Sequence, residues 1–214
     1  MALQNRVAPD GSLHASSTRG LFTGNRGIIH DPDTKTLSGR RWTTRSWIAC
    51  SCEWKGRKRE VWSRNGRKGG LGWTELFFLD EVTALAAGHR PCFTCRREAA
   101  KSFIAAFNAG NPLTNGTVKE RDDLLHGQRR LSSRQQHEAL SGADLKNLPD
   151  GAMIEAEGQF FAVRDLNALP WGFAGYGEAA PRDALQGPVY LVTPRATVKA
   201  LAAGFEPVWH DSAA

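Results

Sequence analysis

Residues 88–100 read GHRPCFTCRREAA, and two of the four cysteines in the 214-residue chain, Cys92 and Cys95, stand there three positions apart. Pro91 suits the first turn of a helix, where its missing N–H costs nothing. The apolar spacing of Phe103, Ile104 and Phe107 predicts that this helix runs from Pro91 to Gly110. A Cys-x-x-Cys pair at a helix start is half of a tetrahedral zinc site. Unpaired backbone N–H groups and the helix dipole favour thiolates at the same place.

The other half is expected from Cys50 and Cys52. The stretch RRWTTRSWIACSCEWKGRKREVW, residues 40–62, is rich in Trp, Thr, Ile and Val, with Lys55-Gly56-Arg57 where a turn would fall. It predicts a β-hairpin. Alternation along such a strand puts Ile48, Cys50, Cys52 and Trp54 on one face. Cys50, Cys52, Cys92 and Cys95 are therefore the expected metal ligands and zinc the expected ion. A variant set replaces one strand thiol with His89, three positions before Cys92.

Charge is concentrated around the first pair. Ten Lys or Arg lie between Arg40 and Lys68 against Glu53 and Glu60, a local charge of +8 in a chain whose net charge is +6. A metal closing the two pairs would gather Arg45, Lys55, Arg57, Lys58 and Arg59 with Arg90, Arg96 and Arg97. Such a surface suits a polyanion, so nucleic acid, DNA foremost, is the expected partner and the eight residues its expected contacts. Trp42, Trp47, Trp54, Trp62 and Trp73 are interleaved with the charges. Tryptophans beside arginines can stack on bases, but on a short sheet they more often form core.

Outside this region, residues 1–20 are polar and expected to be a flexible N-terminus. Leu76, Leu79, Val82 and Leu85 predict a helix capped by Thr74 and stopped by Gly88. Residues 117–148 read as a connection of two short helices, TVKERDDLLHGQRRL and SRQQHEALSG. From residue 149 the chain predicts a hairpin about Glu157-Gly158, a buried strand in PVYLVTP, and a helix over 194–203 closed by Gly204. The expected fold is α+β: a four-cysteine zinc module over 21–116, in which the metal staples a β-hairpin to a helical pair, and a smaller α+β part over 149–214. No signal-peptide core or membrane-length apolar run is present, and four cysteines in tight pairs fit a cytoplasmic metalloprotein better than a disulfide framework.

Other chemistries are poorly supported. His-x-Glu, the companion of Pro-Cys-x-x-Cys in zinc deaminases, is absent upstream. The Gly-rich loop 63–72 lacks a P-loop ending, and no Gly-x-Ser-x-Gly elbow occurs. Asp122, Asp123 and His126 lie within about a helical turn of one another, with Glu120 close by, and give a second reading: a metal-dependent nuclease or other hydrolase braced by a structural zinc.

The segment GHRPCFTC resembles the GFRPCKRC-type motif in the N-terminal zinc domain of Ada-type DNA alkylation-repair proteins. The resemblance covers about ten residues of 214. It implies zinc ligation by Cys92 and Cys95, a ligand role for Cys50 and Cys52, DNA binding, and a methyl-accepting thiolate at Cys50. The chain departs from that family in its Cys50-x-Cys52 spacing, where the family has three intervening residues. It also lacks the Pro-Cys-His-Arg active site of the family's second methyltransferase module and anything resembling its helix-turn-helix.

Overall fold

The computed structural model describes residues 2–56, 60–113, 116–129 and 139–214. It is a mixed α+β structure. The first half contributes strands β1 (Arg6–Val7), β2 (Leu13–His14), β3 (Phe22–Asn25), β4 (His30–Asp31), β5 (Thr36–Leu37), β6 (Ile48–Ser51), β7 (Leu76–Phe78) and β8 (Arg90–Pro91). Six of them form one sheet in the order β2-β1-β7-β3-β6-β8, with β4 and β5 as a separate ribbon. Helix α1 (Glu81–Ala86) separates β7 from β8, and α2 (Arg97–Gly110), α3 (Val118–Gln128) and α4 (Gly142–Lys146) follow β8 in the chain. The second half adds β9 (Met153–Ala156), β10 (Gln159–Arg164), β11 (Asn167–Gly172), β12 (Gly175–Tyr176), β13 (Ala180–Pro181), β14 (Val189–Leu191) and α5 (Arg195–Ala202). Its sheet runs β12-β11-β10-β9-β14, and β13 pairs with β11.

Within the expected loose terminus, residues 6–14 are tied down. Val7, Ala8 and Leu13 are buried, and β1 pairs with β2 and β7. Apolar side chains so short a segment can bury outweigh its polar composition. The expected hairpin over 40–62 gives way to different pairing: β6 runs antiparallel to β3 and parallel to β8. Its partners come from about 25 residues before and about 40 after, and local alternation carries no information about either.

The helix expected from Thr74 is a strand followed by a helix. Leu76 and Phe78 point inward from β7, and Asp80, not Thr74, caps α1 by accepting from the Thr83 N–H at 2.8 Å. Gly88 ends that helix as expected, at φ +82°. Pro91 lies in β8, and α2 opens only at Arg97. The Glu157-Gly158 hairpin, the strand in 188–194 and the helix stopped by Gly204 form as predicted, with Glu157 and Gly158 both at positive φ, as a tight two-residue turn requires. The predicted helix SRQQHEALSG falls mostly outside the described residues.

The two halves share their cores. One cluster joins Leu85 of α1, Phe103 and Phe107 of α2 and Leu125 of α3 to Ile154, Val163, Ala200 and Phe205. A second joins Ala8, Leu79 and Val82 to Met153, Trp171 and Tyr176. A polar tie reinforces it: Tyr176 Oη donates to the buried Asp80 carboxylate at 2.7 Å, and the His210 N–H donates to it at 3.2 Å. Among the described residues no helix is long and apolar enough to cross a membrane.

Candidate metal centre

Backbone pairing assembles the centre. The Arg90 N–H donates to Trp47 O at 3.1 Å and the Cys92 N–H to Ala49 O at 3.0 Å, which fastens the end of β8 alongside β6. Cys50 and Cys92 are thereby placed side by side. The chain then turns, with the Arg96 N–H donating to Cys92 O at 3.0 Å, and brings Cys95 back over the pair before α2 starts. The sulfurs of Cys50, Cys92 and Cys95 lie within 4.8 Å of one another. A tetrahedral metal–thiolate site needs sulfurs about 3.8 Å apart, a small contraction from this spacing. The three cysteines could hold a metal ion, and three soft donors suit a thiophilic one.

Thiolate character is distributed unequally. The Cys50 thiol donates to Cys92, and the Thr94 and Cys95 N–H groups also point at the Cys92 sulfur, so Cys92 is held well below the ordinary thiol range despite its burial. The same contact pushes Cys50 up, burial adding to it. Desolvation is the main influence on Cys95 and raises it, opposed by the Ser51 N–H. The donors around Cys92 belong to the turn, not to the helix N-terminus the sequence suggested.

Cys52 is not part of the trio. β6 ends at Ser51, so strand alternation stops before it. Its thiol is exposed and turned toward the carbonyls of Leu21 at 3.5 Å and Gly20 at 3.8 Å. His89 is also elsewhere: fully buried, it accepts from Arg26 Nε at 3.4 Å and packs its ring against Phe78 and Trp47. Burial, with Arg26 and Arg129 beside it, holds its pKa well below the ordinary imidazole value, so it stays neutral as a piece of core. Arg26 and Arg129 each lie 4.2 Å from the Trp47 ring centroid, and such desolvated cation–π contacts contribute about 2 kcal/mol each.

Two of the expected phosphate contacts are structural. Arg90 is 5% exposed and bound in bidentate fashion to Asp122 at 2.7 and 2.9 Å. Arg96 lies over Phe22 and pairs with the buried Glu81. Arginines next to the metal turn are consumed by carboxylates that the fold brings from α1 and α3. Arg45, Lys55 and Arg97 are exposed, Arg45 against Asp123 and Lys55 over the Trp54 ring. Arg57, Lys58 and Arg59 lie outside the described residues.

The carboxylates of the nuclease reading are engaged in the same way. Asp122 is saturated by Arg90 and the Ser46 hydroxyl; Asp123 binds Arg45 at 2.8 Å and Lys119 at 2.6 Å. His126 faces Arg129 and the edge of Trp42. Among the described residues the cysteine trio is the one group arranged to hold an ion.

The trio opens on a cavity of about 670 Å³, walled by Trp54, Trp73 and Phe77 and edged by Asn25 and Glu75. Of the five interleaved tryptophans only Trp47 and Trp62 are core, fewer than expected; Trp42 is half-buried, as are Trp54 and Trp73 in this wall. No protein-family model, curated protein or solved structure matches the chain.

Proposed function

We propose that this chain is a zinc protein that binds nucleic acid, DNA foremost, in repair or regulation. The observation that carries the reading is the convergence of Cys50, Cys92 and Cys95 at the mouth of a cavity, with Cys50 inside the stretch 40–68 that holds the chain's positive excess. Zinc is the ion these donors favour: three thiolates in a tetrahedron, with no redox chemistry required. Held there, it fixes β6, and with it the chain that leads into the basic stretch after Cys52, against the turn before α2. The resemblance of GHRPCFTC to the Ada-type zinc domain supports the same partner. That family's four-thiol pattern carries over as three ligands and an unligated Cys52.

Three thiols supply three of the four positions zinc prefers, leaving one for water or a ligand from the cavity. The hydrolase reading is not favoured, since its carboxylates are bound to arginine and lysine. The test is a gel shift with the zinc-loaded chain at several salt concentrations. Binding should weaken steeply with salt, with several counterions released, and should be lost on chelation of the metal. Binding that ignores salt, or none to DNA or RNA at low salt, contradicts the proposal.

A further inference from the structure

The sheet face bearing Cys50 continues well past the thiols. Strand register aligns Arg6 with Phe77, Phe77 with Thr23, and Thr23 with Cys50. Partners in register point to the same face, so these four side chains form a row across β1, β7, β3 and β6 about 14 Å long. Two cavities lie along the row. The one beside the thiols is the aromatic cavity already described; the other, of about 630 Å³, is lined by Arg6, Arg19, Ser16 and Ser17. They meet at Cys52, Val61 and Phe77, which line both.

The two halves differ in chemistry. The thiol half is walled by aromatic rings, together with Glu53 and Glu75, which repel phosphate. The Glu75 carboxylate is occupied in part by the Trp62 N–H at 3.0 Å and the Asn65 amide at 3.1 Å. The other half offers two guanidinium groups and two hydroxyls. Neither Arg6 nor Arg19 has a carboxylate at ion-pair distance among the described residues. Arg6 is anchored instead by Thr18 O and Asn5 Oδ1, with its guanidinium 4.8 Å from the Phe77 ring centroid. A cation held in place without a counter-ion, beside hydroxyls, suits an anionic oxygen.

We propose that this face is a cleft for single-stranded nucleic acid, in which an unpaired base seats among Trp54, Trp73 and Phe77 beside the thiols and a neighbouring phosphate is taken by Arg6 and Arg19. The inference rests on the nucleic-acid reading above and narrows it to an unstacked nucleotide. A duplex, with its bases stacked inside, offers the phosphate but not the ring.

The experiment is fluorescence anisotropy on the zinc-loaded full chain with three labelled probes: an oligothymidylate, an abasic strand of equal length, and a duplex. The base-bearing strand should bind about tenfold or more tighter than the abasic one, the size of one or two stacking contacts. Trp73→Leu and Trp54→Leu should each reduce that difference, and the double variant should remove most of it. Arg19→Gln should weaken both strands alike and lower the salt slope by about one. Equal affinity for the abasic and base-bearing strands, or a preference for the duplex, overturns the cleft and leaves the nucleic-acid reading standing. Failure of all three probes at low salt overturns both.

Discussion

Asp122 and Asp123 are adjacent in sequence and have opposite environments. Asp122 is buried, 2% exposed, and closes a two-bond clasp on Arg90. Removing one partner of such a pair strands a charge in the interior, which costs about 3–5 kcal/mol. Arg90→Ala should therefore lower the denaturant midpoint markedly, and should leave the salt slope of nucleic-acid binding unchanged, because the guanidinium is not on the surface. Asp123 is partly exposed, and Lys119 and Arg45 hold its carboxyl down at about 2. A folded pKa below the unfolded value of about 3.9 gives stability that is present above pH ~4 and lost as pH falls through about 2. The melting temperatures of wild type and Asp123→Asn should thus differ slightly at pH 6, converge towards pH 2, and differ less in high salt. These roles were hidden in the sequence. Spacing showed that Asp122, Asp123 and His126 share a helix, but not that α3 is docked against Arg90 and Arg45.

At the scale of elements, the turn between α1 and β8 governs the centre. Gly88 stands at φ +82°, and a β-carbon there would come within 2.5 Å of the Arg129 side chain. Gly88→Ala combines a left-handed backbone penalty of about 1 kcal/mol or more with displacement of a buried arginine from Trp47. It should destabilise the fold by about 2 kcal/mol, read by chemical denaturation, and lower metal retention by loosening β8 from β6. The glycine stop was legible, because it depends on local chemistry, whereas Pro91 and the Cys-x-x-Cys were read as a helix start and are the end of β8 and a turn ahead of α2. The partners of β6 were not legible, since they are set by side chains distant in sequence. The helical spacing of Leu76, Leu79, Val82 and Leu85 was misleading for a specific reason: Leu76 lies in β7, Leu79 in the connection and Val82 and Leu85 in α1, yet all four are buried. Cys52 was assigned to the site by extending strand alternation one residue past the strand's end.

At the scale of the whole molecule, the second half is structural support for the first as much as an appendage. α1, which leads into the metal turn, is packed against Met153 and Trp171 and capped by an aspartate bound to Tyr176. Tyr176→Phe leaves one oxygen of a buried carboxylate short of a donor and should cost about 1–3 kcal/mol in global stability, read by chemical denaturation. The mixed α+β class was legible from pattern alone, as was the tendency of the cysteines to converge. The shared cores were not, and neither was the order of residues 2–20, which puts Arg6 and Arg19 on the proposed cleft.

The proposed grip of three thiols on one ion is the premise on which the proposed nucleic-acid surface and cleft both stand. Metal content of the purified chain, measured beside the four single Cys→Ser variants, addresses that grip directly. About one zinc per chain is expected, retained by Cys52→Ser and lost or strongly reduced in Cys50→Ser, Cys92→Ser and Cys95→Ser. A chain without stoichiometric metal, or one in which Cys52→Ser loses the ion as completely as the other three, contradicts a three-thiol centre.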